Sequence, residues 1–177
     1  MLNELRKYYP LLMFCFTAAT AAAQVPVKEK QVPLEIRDDF ALRFHEAEKV
    51  VWLMAGEQHF GASCLVKGAQ VDVVYEAKGG HWIQTTETIP VNMLPDSAIA
   101  FCKTWYPDFV TEKVEKVSTR KYGILYDLKA FQGVKQVEIT FDMHGKVVQK
   151  QESEKTEPSP EVTPQQEAKP RDLFKKS

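Results

Sequence analysis

From Val50 onward, apolar and polar residues alternate in short runs broken by glycine-containing steps. Val71, Val73 and Tyr75 alternate with Asp72, Val74 and Glu76, and Val137, Ile139 and Phe141 alternate with Glu138, Thr140 and Asp142. Tyr122, Ile124, Tyr126 and Leu128 share one face of residues 121–130, as do Phe60, Ala62, Cys64 and Val66 of residues 58–66. A period of two is that of a half-buried strand, because successive side chains point to opposite faces of the pleat. Val50-Val51-Trp52-Leu53-Met54 is continuously apolar, and its β-branched and aromatic content favours a strand there too. Residues 82–89, 109–118 and 146–149 complete a set of eight. Lys67-Gly68, Gly79-Gly80, Gln132-Gly133 and His144-Gly145 supply the turns, since glycine accepts the positive φ that tight hairpins need. Strands joined by hairpins pair antiparallel, and such a sheet can leave one face in water.

Two segments break this period. In Leu94–Pro107, Pro95 and Asp96 suit a helix start and Pro107 a stop, while Ala98, Ile99, Cys102, Trp105 and Tyr106 recur at spacings of three and four. The stripe predicts a buried Trp105, whose replacement by alanine would cost about 3–5 kcal/mol. Asp38-Asp39 can cap an earlier helix from Phe40, with Phe40, Phe44 and Ala47 as its stripe.

Sliding the chain on itself aligns Phe44 with Tyr106, Phe60-Gly61 with Tyr122-Gly123, and residues 71–76 with 137–142. The expected fold is therefore α+β and two-layered. It is a tandem repeat of one helix plus about four antiparallel strands, residues 37–90 and 91–150, with the helices on one sheet face. Residues 24–36 read as an extended arm. Residues 151–177 are rich in Glu, Gln, Pro, Lys and Ser, and their composition predicts a disordered tail. Within it, Leu173-Phe174 is a candidate docking motif or a frayed end. Residues 1–23 read as a signal peptide: Arg6 and Lys7, an apolar Tyr8–Thr17, then Ala21-Ala22-Ala23. The apolar run is shorter than the ~20 residues of a membrane span, so none is expected after cleavage. Periplasmic or secreted localisation follows.

Cleavage would leave Cys64 and Cys102 in an oxidising compartment, either as a disulfide or as two buried thiols. The net charge of -1 offers no electrostatic attraction for nucleic acid.

Phe40 and Phe44 ahead of Val51-Trp52, then Gly80-His81-Trp82 with Thr85 and Ile89, then Leu94-Pro95 and Tyr106-Pro107, resemble the PepSY-like, beta-lactamase-inhibitor-protein-like (BLIP-like) exported bacterial proteins. The resemblance spans roughly residues 32–150. It implies export and two tandem helix-plus-four-strand units, and it supplies no catalytic residues. His45 stands where the first repeat often carries proline.

Candidate chemistry is sparse. His45, His59, His81 and His144 lack metal-ligand spacing, and Gly61-Ala62-Ser63 lacks the second glycine of a nucleophile elbow. No cofactor or metal is expected. Asp72 with Glu76, and Glu138 with Asp142, are either acid pairs or the solvated face of alternating strands. Trp82 lies in a polar strand and is a candidate contact residue, as is the turn residue His81. These six residues form the candidate surface of a non-enzymatic module that recognises a protein or peptide, including as an inhibitor or regulator of an envelope hydrolase. The alternatives are a small periplasmic hydrolase using the carboxylates or a histidine, and a structural envelope protein.

Overall fold

The computed structural model describes residues 25–154. Residues 1–23, read from the sequence as a signal peptide, lie outside the described residues, as do residues 155–177 with Leu173-Phe174. Residues 151–154, expected to begin the disordered tail, instead extend the last strand.

The chain forms β1 (Val25–Pro26), α1 (Leu34–Arg43), β2 (Ala47–Ala55), β3 (His59–Val66), β4 (Ala69–Glu76), β5 (Trp82–Thr88), α2 (Asp96–Trp105), β6 (Val110–Thr119), β7 (Gly123–Gln132), β8 (Lys135–Asp142) and β9 (Val147–Glu154). Every strand pairs antiparallel with its neighbour in sequence, so the sheet order is β1 through β9 without a crossover. Both helices start directly after a proline, Pro33 and Pro95, held in extended geometry. Proline sets its own φ and donates no amide, which suits a helix start.

The two-layer α+β tandem repeat is corrected by this architecture. The protein is one continuous nine-stranded antiparallel open sheet, among the described residues, carrying two helices of ten residues each. Those helices are too short to make a second layer: α1 fully buries Ile36 and Phe40, and α2 only Ala98. The halves are not separate units, because β5 pairs with β6 from Gln84↔Thr119 to Thr88↔Glu115. The arm is not a free lead either, since Val25 and Pro26 pair with Met54 and Leu53 as the first strand. The first helix begins six residues ahead of Phe40, because Pro33 rather than Asp38-Asp39 sets its start.

Two core clusters lie on the helix side of the sheet. One joins Val32, Ile36 and Phe40 to Trp52, Val73 and Tyr75; the other joins Leu94 and Ala98 to Leu128, Ile139 and Phe141. Two turns dock onto the helix starts. At Gly145 (φ +75°) a Cβ would lie 2.1 Å from Ser97 Oγ and 2.7 Å from the Ala98 nitrogen, and Ser97 donates to the His144 carbonyl. Glycine is required there by conformation and by space.

Trp105, expected in the core, is 68% exposed at the end of α2. Phe101, which lies off the predicted stripe, packs against the second cluster instead. Of the two alternatives for the cysteines, the disulfide is not formed. Cys64 and Cys102 are free thiols, buried in the first cluster and packed against the second. Burial raises both thiol pKa values, and Asp72 adds to the effect at Cys64, so neither is an activated nucleophile.

Candidate functional site

Pairing partners in an antiparallel ladder share a face, so the register assigns every strand side chain. Val73, Tyr75, Leu128, Ile139 and Phe141 face the helices. The residues between them form the opposite, open face. One row across it reads Ser63, Asp72, Thr86, Val117, Leu125, Asp142. The next reads Thr88, Glu115, Asp127, Thr140, Gln149.

The open face is mostly hydroxyls, amides and carboxylates, held in side-chain bonds within and between strands. Ser63 Oγ donates to Asp72 Oδ1 at 2.6 Å, and Gln70 Nε2 donates to both at 2.8 and 3.2 Å. Thr140 Oγ1 donates to Asp127 Oδ1 at 2.5 Å, and Gln136 Nε2 to Glu138 Oε1 at 2.9 Å. Lys113 pairs with Glu115 at 2.7 Å and Lys129 with Glu112 at 3.5 Å.

At the centre the face changes character. Val117, Leu125 and Thr119 are buried, and Gln84 is 9% exposed on the middle strand β5. Gln84 is largely buried as a residue, but its amide is not a buried unsatisfied group, which among the described residues is the Tyr75 hydroxyl, so the polar end of Gln84 reaches the surface of the open face. A small apolar patch with an amide beside it thus sits on an otherwise polar, mostly acidic face.

Of the six residues singled out from the sequence, Asp72, Glu76, Glu138 and Asp142 lie on the open face by register. Asp142 also accepts the backbone amides of His144 and Lys146, which ties it to the β8–β9 turn. His81 is exposed in the β4–β5 turn. Trp82 lies on the other side. A bulge at the Val74/Tyr75 step brings it opposite Tyr75, and it packs against the first core cluster. Its Nε1 donates to Thr85 Oγ1 at 3.0 Å. The proposed acid pairs are four residues apart along a strand, or about 13 Å at the strand rise, too far to share a proton. No group of three or more His, Cys, Asp or Glu suited to a metal occurs among the described residues.

Gln84, Val117 and Leu125 were not visible as a site in the sequence. Alternation puts Gln84 on the polar side of a threonine-rich strand, and nothing local signals that its neighbours enclose it.

No protein-family model matches the chain, and no curated protein sequence does. Solved structures do match its fold. A BLIP-like protein from Bacteroides fragilis NCTC 9343 superposes with a TM-score of 0.61 at 20% identity, over 72% of this chain and 90% of that one. A DUF2874 family protein from Bacteroides uniformis ATCC 8492 gives 0.60 at 16% identity, over 68% and 88%. A Bacteroides eggerthii DSM 20697 protein provisionally assigned to the periplasm gives 0.61 at 15% identity, over 68% and 88%. At these identities the likeness establishes the fold alone. It supports the BLIP-like side of the resemblance read from the sequence; no comparison supports the PepSY-like side. No helix among the described residues is long and apolar enough to cross a membrane.

Proposed function

We propose that the protein is an exported, non-enzymatic binding module of the periplasm or cell exterior that receives another protein or peptide on its open sheet face. The observation that carries this reading is the buried apolar pair Val117 and Leu125, with the largely buried Gln84 on the neighbouring strand, in the middle of the polar face that neither helix covers. A partner that sets a side chain there would cover the apolar patch and bond the amide, and buried central contacts of this kind dominate interface energies. The open face carries more carboxylates, among them Asp72, Glu76, Glu115, Asp127, Glu138 and Asp142, than lysines, Lys113 and Lys129, an excess that favours a partner loop carrying lysine or arginine. Inhibition or regulation of an envelope hydrolase is one form this binding would take. It accords with the BLIP-like neighbour in fold only.

The test is capture from an envelope extract with the wild-type chain beside a Leu125→Arg variant, followed by direct binding of the captured protein. The expected result is one specific partner, retained by the wild type and lost by Leu125→Arg. Its affinity should fall as salt rises, because exposed charges are screened. Equal retention by both chains overturns the assignment to this face.

A further inference from the structure

We propose that a second binding site lies on the helix side, at the β9 edge of the sheet, and takes a neutral polyhydroxylated ring such as one unit of a saccharide. The site is a cleft of about 510 Å³ between the end of α2 and the last strands, within the range of small-molecule sites. It is centred on the helix side, where the lining residues Lys135 and Glu154 pair, although Gln136 and Ser153, which also line it, pair at an open-face position of the same edge.

One wall is aromatic. Trp105, Tyr106 and Phe109 line it, with the Tyr106 and Phe109 rings edge-to-face at 5.1 Å. Trp105 is two-thirds exposed although it belongs to a helix whose other aromatic, Phe101, is packed on the core. An indole left in water beside a cleft offers a flat apolar face that the fold does not use. The opposite wall is polar and comes from Gln132 and Gln136 of the β7–β8 hairpin and Ser153 and Glu154 of β9.

The charges in the cleft are already matched. Tyr106 Oη donates to Glu152 Oε1 at 2.8 Å, and Lys150 Nζ donates to the same oxygen at 3.0 Å. These two bonds, Tyr106 first, hold the Glu152 carboxyl below its ordinary range. Lys135 faces Glu154 in the register. A cation would meet Lys135 and Lys150, and an anion would meet Glu152 and Glu154. A wholly apolar ligand would strip water from two amides and a carboxylate without replacing those bonds. What remains is a ligand with one apolar face for the indole and edge groups that both donate and accept. A pyranose ring has C–H bonds on its face and hydroxyls around its rim. The Gln132 amide can donate and accept, and the Glu154 carboxylate accepts.

The experiment titrates the full chain with maltose, cellobiose and N,N′-diacetylchitobiose and follows the Trp105 indole N–H by NMR. Tri-lysine and digalacturonate serve as charged comparators. The expected result is a saturable shift with at least one neutral sugar in the millimolar range. Trp105→Ala should weaken it at least tenfold and Trp105→Phe should retain part of it, with the thermal melts of both variants close to that of the wild type. Absence of a saturable shift with all three neutral sugars overturns the proposal. So does a stronger response to tri-lysine, which would make this a cation site, or to digalacturonate, which would make it an anion site. Binding that survives Trp105→Ala overturns it as well.

Discussion

Arg43 lies over the indole of Trp82, its guanidinium carbon 5.2 Å from the ring centroid, on the helix side of the sheet. The same guanidinium holds Asp39 at 2.7 Å, one turn back on α1. Together these contacts fasten the end of α1 to β5, and they exist because the bulge beside Ile83 turns Trp82 under the sheet. Trp82→Ala should therefore act on stability and not on partner capture. We expect a loss of about 2–3 kcal/mol in urea unfolding, somewhat below the cost of deleting a fully buried Trp. Partner affinity at the open face should be unchanged, and a selective loss of binding at unchanged stability would contradict this placement.

Tyr75 presents the opposite case, a polar group with nothing to satisfy it. Its ring is fully buried in the first cluster and its hydroxyl has no hydrogen-bond partner within normal geometry, although Asp39 and Arg43 act on it electrostatically. Tyr75→Phe removes an unsatisfied hydroxyl at nearly constant volume. It should raise stability by about 1 kcal/mol.

Burial first, and then the Asp39 carboxylate, push the Tyr75 pKa well above its ordinary value. The unfolded chain ionises this phenol near pH 10 while the folded chain keeps it protonated. The corresponding stability is complete below that pH and is lost as the pH rises beyond it, toward the folded-state pKa. Thermal melts from pH 8 to 11 should fall less steeply for Tyr75→Phe than for the wild type. Parallel curves would show that another group carries the alkaline loss.

Trp105→Ala should change stability by less than about 1 kcal/mol, since substitutions at exposed positions are rarely costly. The helical stripe alone implies several times that amount. A melt of the purified variant separates the two figures directly.

Gly145 and Gly133 both take positive φ in turns, at 75° and 59°, but only Gly145 is pressed against a neighbour. Alanine at Gly133 meets nothing within 4 Å and should cost only the left-handed backbone penalty, about 1–2 kcal/mol. Alanine at Gly145 must also displace Ser97 and the start of α2, and we expect a distinctly larger loss, at least about 3 kcal/mol. Equal losses in urea would show that the β8–β9 turn does not bear on α2.

Much of the strand content was legible because alternation is written residue by residue. Val71, Val73 and Tyr75 are buried and Val137, Ile139 and Phe141 are buried, as a period of two requires. Pro95 and Pro107 bracket α2 for reasons of φ and missing amides that no neighbour can alter. The candidate site was legible only in its rim. Asp72, Glu76, Glu138 and Asp142 follow from alternation, but one inserted residue at the β4–β5 bulge reverses the parity of β5 and carries Trp82 to the other face. Gln84 gave no signal, since burial on the open face is imposed by β4 and β6.

By itself the chain's order of residues determined where the strands and turns lie and which way most side chains alternate, because these follow from the pleat and from backbone sterics within a few residues. The tertiary structure alone decided that β5 pairs with β6 to make one sheet, that the arm supplies its first strand, that Trp105 stays in water, and that Gln84 is largely buried on the open face. Each of these depends on contacts or pairings that no local period records, several of them between residues far apart in the chain.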